Sequence, residues 1–189
     1  MRVASSQGIM GLFLDTSVFN NDPAMKNILP IITLTTLAAA ASAQTAAAPS
    51  GLSYNRVGLD YNTDSKGYSL SASALIGSSN FLVGAETTVG GNGNGDDSVS
   101  LGYVFKNLAL GADATFSVGS NESYGLEVRK DLGNNIELAV GYARSSGVNG
   151  WGAELAYNVS KQIQIAAGVS DSNLAGSSST TDISVRYNF

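Results

Sequence analysis

Eleven charged side chains fall on one side of a two-residue alternation, and any chemistry of this chain has to be built from them. They are Asp60, Glu86, Asp113, Glu127, Asp131, Glu137, Glu154 and Asp182 against Arg56, Arg129 and Arg186. Carboxylates in excess around one space would favour cations, whereas carboxylates matched to guanidiniums would pair, fill the space and specify a register. Catalysis is a poorer fit. The 189 residues contain no His and no Cys, which removes the commonest general base and metal ligand, thiolate chemistry and disulfides. A Ser-Lys or paired-carboxylate site stays formally open, yet Lys66, Lys106, Lys130 and Lys161 all sit at turns or strand ends. No catalytic residue, metal site or cofactor is expected. The run Gly91-Asn92-Gly93-Asn94-Gly95-Asp96-Asp97 completes no calcium motif and suits a hydrated loop, and Asn121-Glu122-Ser123 is a sequon in form only. A net charge of −5 argues against a nucleic-acid partner.

The alternation that sorts these charges runs almost unbroken from Tyr54 to the end, and only a β-strand turns a period of two into two different faces. Ten strands are read. The first, 53–62, sets Val57, Leu59 and Tyr61 opposite Arg56 and Asp60; the second, 67–76, sets Tyr68, Leu70, Ala72, Ala74 and Ile76 opposite three serines. The third sets Phe81, Val83 and Ala85 opposite Glu86, and the fourth sets Val99, Leu101, Tyr103 and Phe105 opposite Ser100 and Gly102. Lys106-Asn107 reads as a two-residue turn into a fifth strand carrying Leu108, Leu110, Ala112, Ala114 and Phe116 opposite Asp113 and Thr115. The next four set Tyr124, Leu126 and Val128 opposite Glu127 and Arg129; Ile136, Leu138, Val140 and Tyr142 opposite Glu137; Trp151, Leu155 and Tyr157 opposite Glu154; and Ile163, Ile165 and Val169 opposite Gln162 and Gln164. Connections look tight after the fourth and eighth strands and long after the third and ninth.

The tenth strand, 181–189, alternates Thr, Ile, Val, Tyr and Phe with Asp, Ser, Arg and Asn, and ends in Tyr187-Asn188-Phe189. A terminal strand of this pattern with a final Phe resembles the closing strand of bacterial outer-membrane β-barrels, of the OmpX and OmpA-barrel kind or a YfaZ-like porin. The resemblance implies an all-β, up-and-down antiparallel transmembrane barrel of about ten strands in the outer membrane of a Gram-negative bacterium. It further implies that Tyr187 and Phe189 form the signal read by the barrel-assembly machinery, and that outer-membrane lipid surrounds the barrel. The apolar face agrees. Apart from Lys130 and Arg144, both at strand ends, it carries no charge, and an Arg or Lys at mid-bilayer costs about 2–4 kcal/mol. With strands running up and down, Tyr61, Tyr68, Phe116, Tyr124, Tyr142 and Trp151 fall toward the outer end. Phe81, Tyr103, Phe105, Tyr157, Tyr187 and Phe189 fall toward the periplasmic end, giving two aromatic girdles. A soluble up-and-down barrel of the lipocalin kind would need the opposite polarity, and sequence alone does not see which face is inside.

Ahead of the barrel, Met25-Lys26-Asn27, the apolar run 28–40 and Ala41-Ser42-Ala43 make a secretory signal peptide over 25–43, cleaved before Gln44. Residues 1–24 precede a complete signal and are read as a misassigned extension, 44–52 as a flexible lead-in, and 53–189 as the barrel. Two functions remain open. One is a porin-like, narrow passive pore for ions or very small solutes; the other is a structural or surface-interaction barrel with a plugged lumen. Eight strands are just filled by their own side chains, and large aqueous channels come at about 16.

Overall fold

The computed structural model describes residues 51–89, 97–120, 122–174 and 179–189. The signal peptide, the 1–24 extension, most of the lead-in, the Gly91–Asp96 run and Asn121 of the sequon lie outside the described residues. Ten antiparallel strands follow one another: β1 (Arg56–Asn62), β2 (Tyr68–Leu75), β3 (Phe81–Val89), β4 (Asp97–Phe105), β5 (Asp113–Gly119), β6 (Ser123–Gly133), β7 (Ile136–Ser145), β8 (Val148–Asn158), β9 (Ile163–Ser172) and β10 (Thr180–Asn188). Each pairs with the next, and β10 closes on β1 from Arg56↔Asn188 to Asn62↔Asp182. Closure leaves no edge strand, so every backbone donor and acceptor of the wall can be used within it. The ends of the barrel meet at one rim, where the Phe189 N–H donates to the Asn55 carbonyl at 3.0 Å. This is the terminal rim; the opposite one is the far rim.

The strands are tilted, and their register shows it. One row of paired residues runs Phe81, Tyr103, Phe116, Leu126, Tyr142, Trp151 across β3 to β8. It begins on the first residue of β3 at the terminal rim and arrives three residues from the far end of β8. Five of its six members are aromatic, and Phe81 and Tyr103 pack edge-on with centroids 5.1 Å apart. The row is therefore a spiral that climbs the outside of the barrel, as staggered registers require.

Three local expectations are corrected. β1 begins at Arg56 rather than Ser53, because 53–55 turn inward instead of pairing in the wall. β5 begins at Asp113 rather than Leu108, and Lys106-Asn107 is no two-residue turn. The 106–112 connection holds a 3₁₀ turn over Ala109–Gly111 with Leu110 at φ 63°, closed by Leu108 N–H to the Ala112 carbonyl at 2.8 Å. Asp113 anchors it by accepting the Asn107 N–H at 2.9 Å. Leu108 and Leu110 continue the period of two by composition while belonging to an exposed loop. Connection length also fails to distinguish the rims. Two-residue turns occur at both, 134–135 on the terminal rim and 146–147 on the far rim, each with positive φ at both positions as type I′ turns demand.

The polarity of the barrel is inverted. Its outward rows are apolar and exposed, Leu59, Leu101, Val140, Leu155, Ile183 and Val185 among them, while Arg129, Asp113, Gln164 and Ser170 are among the most completely buried side chains. Strands of seven to eleven residues rise about 3.3 Å per residue, so at a tilt of about 40° they span roughly 18–28 Å, matching an apolar band of about 25 Å.

Candidate functional site: the lumen

The inward residues divide the lumen lengthwise. Along β6 to β10 runs an ionic network. Arg129 on β6 reaches Glu137 on β7 through Nε at 2.6 Å and Nη2 at 2.6 Å, with Glu127 on its own strand at 3.7 Å. Gln164 on β9 joins it, donating Nε2 to Glu137 Oε2 at 3.1 Å and to Asn158 Oδ1 at 3.0 Å. Arg186 on β10 makes a two-pronged pair with Glu154 on β8, its Nη1 at 2.6 Å from Oε1 and its Nη2 on Oε2. Its stem crosses Gly58, where a Cβ would lie 3.3 Å from Arg186 Cγ and 2.8 Å from Ser71 Oγ, so a glycine makes this crossing possible. Nη2 also lies 3.8 Å from Asp60. Toward the far rim, Asp182 accepts the Asn62 amide at 2.8 Å. Buried guanidiniums are tolerable here because planar, bidentate partners replace their water.

The opposite wall is made of small residues. Ser71, Ser73, Gly84, Ser98, Ser100, Thr115 and Ser117 on β2 to β5 face a cavity of about 80 Å³, with Arg56, Glu86 and Glu127 at its margin. That volume exceeds the ~30 Å³ a liquid water occupies, so it accommodates water or a small ion. Ala72, Leu82 and Ala85 line it as well, and Gly125, Gly141 and Gly152 border it from β6, β7 and β8.

Below this cavity the lumen ends in an apolar seat. Leu52 and Tyr54, each 4% exposed, pack with Leu75 on β2, Val104 on β4 and Leu82 on β3. The segment is fixed by polar contacts on every side. Tyr54 Oη donates to Asp113 Oδ2 at 2.7 Å, Ser73 Oγ to the Tyr54 carbonyl at 2.8 Å, and Arg129 Nη1 to the Ser53 carbonyl at 3.0 Å. The Leu75 N–H donates to Asn55 Oδ1 at 3.0 Å, and the Arg129 guanidinium stacks 4.8 Å from the Tyr54 ring centroid. Burial pushes the Tyr54 hydroxyl well above the ordinary tyrosine range, reinforced by the Asp113 carboxylate it serves, so it stays a donor.

The structure places Arg56, Asp60, Glu86, Asp113, Glu127, Arg129, Glu137, Glu154 and Arg186 inside the barrel, buried or half-buried. It brings Arg129 together with Glu137 and Arg186 with Glu154. Asp113 stands opposite Arg129 in register but receives Tyr54 and Asn107. Asp131 keeps its pairing opposite Glu137 but lies at the terminal rim, exposed, where it accepts the Gly133 N–H at 2.7 Å and its carboxylate sits against Gly51. Of the aromatic residues, Tyr61 and Tyr68 pair near the far rim with centroids 4.9 Å apart, and Tyr124, Tyr142 and Trp151 project outward toward that rim. Phe116 lies in the middle of β5 rather than at its end. Phe81, Tyr103, Phe105, Tyr157, Tyr187 and Phe189 project outward toward the terminal rim, with Tyr187 and Phe189 stacked at 6.5 Å. Sequence reasoning missed Leu52 and Tyr54, and set Gln164 on the inward row without naming it a site residue. The signal was present: Leu52 and Tyr54 share the phase of Arg56 and Asp60, and so belong to the inward row.

An apolar exterior around a charged, hydrogen-bonded interior excludes the lipocalin polarity. The chain is a membrane-type β-barrel. No protein-family model matches it, and no curated protein does. Among solved structures it is similar to a KdgM porin in complex with disordered oligogalacturonate, at 14% identity and TM-score 0.46 over 71% of this chain and 99% of that one. It is also similar to a NanC porin, at 13% identity and TM-score 0.42 over 71% and 98%, and to the Acinetobacter baumannii outer membrane protein Omp33, at 13% and 0.38 over 74% and 100%.

Proposed function

We propose that this membrane-type barrel is an integral outer-membrane protein of porin-like build, providing a narrow passive path for ions or very small solutes. The observation that carries the reading is the asymmetry of the lumen. Its strongest ion pairs, Arg129–Glu137 and Arg186–Glu154, lie along β6 to β10, and a cavity bordered by the small residues of β2 to β5 remains beside them rather than being filled. Seven inward carboxylates, Asp60, Glu86, Asp113, Glu127, Glu137, Glu154 and Asp182, outnumber Arg56, Arg129 and Arg186, which favours cations. A structural or surface barrel without transport is the second reading, favoured by the apolar seat that closes the terminal rim. No enzymatic role is proposed.

The test is single-channel recording of the refolded mature chain in planar bilayers, with unheated gel migration as the check on folding. Discrete cation-selective steps, with selectivity reduced in Glu127→Gln, support the pore. A correctly folded barrel that stays silent supports the second reading. Fractionation of the producing bacterium checks the location, and recovery in any fraction other than the outer membrane would count against it.

A further inference from the structure

Three consecutive strands end their inward rows at the terminal rim with a large aliphatic residue: Leu75 on β2, Leu82 on β3 and Val104 on β4. Elsewhere those rows carry Ser, Gly, Thr and Glu. A polar conduit has no use for such residues unless something apolar sits on them, and Leu52 and Tyr54 do. The seat lies on the side of the lumen that is otherwise open, since Leu82, Ser73 and Arg56 border the cavity above it. We propose that residues Gly51–Asn55 are a stopper that shuts the terminal mouth of the β2–β5 path and opens it by withdrawing. The inference rests on the pore reading.

The attachment suits a removable part. Gly51–Tyr54 lies outside the sheet registers, and only the Asn55 carbonyl, which accepts the Phe189 N–H at 3.0 Å, ties the segment to the wall, so it can leave by pivoting at Asn55. Ahead of that pivot its fixed points include side-chain and carbonyl contacts to Ser73, Leu75, Asp113 and Arg129, groups that water can satisfy once it goes. Leu75, Leu82 and Val104 would then face the mouth, which favours re-seating. The ionic network along β6 to β10 stays in place in either state, because its principal pairs, Arg129–Glu137 and Arg186–Glu154, do not involve the stopper.

Two experiments decide it. Time-averaged current is compared between the wild-type chain and Leu52→Ala/Tyr54→Ala, both verified as folded by unheated gel migration. A several-fold rise in the variant is expected. Equal currents in two conducting proteins overturn the stopper and leave the pore standing; silence from both overturns the stopper and the pore together. In case the double variant does not fold, Ser53→Cys is folded first and then treated with a bulky maleimide from the terminal-rim side. The chain has no other thiol, and Ser53 is half-buried with its carbonyl on Arg129. Labelling is expected to proceed slowly and to raise the current, because the adduct blocks re-seating. A site that never labels marks a permanent plug, and a labelled protein with unchanged current shows that the segment blocks nothing; either result overturns the proposal.

Discussion

Arg129 is 2% exposed and divides its donors between Glu137, Glu127 and the Ser53 carbonyl, so its charge is held by an arrangement rather than by one partner. Removing a single acid should therefore cost more than removing the pair. Glu137→Gln leaves a buried guanidinium with its principal anion gone, and breaking such a pair costs about 3–5 kcal/mol, here moderated by Glu127. Replacing both, as Arg129→Met with Glu137→Leu, should be milder, since a well-packed apolar pair avoids the desolvation penalty. Urea midpoints of the barrels refolded into vesicles check the order, and a double variant less stable than Glu137→Gln would refute it. At this scale the sequence shows which side chains point inward, because parity is decided residue by residue. It does not show who pairs with whom. Asp113 stands opposite Arg129 in register, yet its carboxylate takes the Tyr54 hydroxyl, and that choice depends on a segment that folds in from outside the alternation.

Elements were legible where hydrogen-bonded pairing and composition agree. β7 starts on Ile136 and β8 ends on Asn158 as their alternating runs do, each extending three residues past the run at the far rim, whereas β5 lost its first residues to the 106–112 loop, since exposed leucines mimic a strand when only the period is read. The 51–55 segment was the largest loss, as its in-phase Leu and Tyr look like the start of β1. Its docking carries a pH dependence. The Tyr54 hydroxyl is raised above its ordinary value of 10.0 when seated, so seating is at full strength below pH 10 and weakens as pH rises beyond it, where a withdrawn Tyr54 ionises. Asp113, Glu127, Arg129 and Lys106 all face this ring, so Tyr54→Phe serves as the control that removes the tyrosine contribution alone. Open time measured from pH 8 to 11 should climb above pH 10 in the wild-type chain and climb less in Tyr54→Phe. Identical curves would assign the effect to the neighbours.

For the whole molecule, the inverted polarity makes a quantitative claim about its surroundings. A barrel in water would tolerate a charge anywhere on its outer face, with effects usually within about ±0.5 kcal/mol. A barrel in a bilayer tolerates one only near its rims. The chain already follows the second rule: its two outward charges in the β6–β7 hairpin are Arg144, one residue from the far end of β7, and Lys130, three from the terminal end of β6, with none between them. Arginine moved along β7 turns this into a measurement. Val140→Arg, mid-strand and outward, should cost about 2–4 kcal/mol in vesicles, while Ile136→Arg at the terminal rim should cost about 0–1. The depth at which the penalty fades then measures the apolar band directly, to be compared with the roughly 25 Å of such barrels. A flat profile along β7 would mean that the exposed face meets water. The membrane assignment, the pore and the stopper would then fall together, because each depends on lipid outside this barrel.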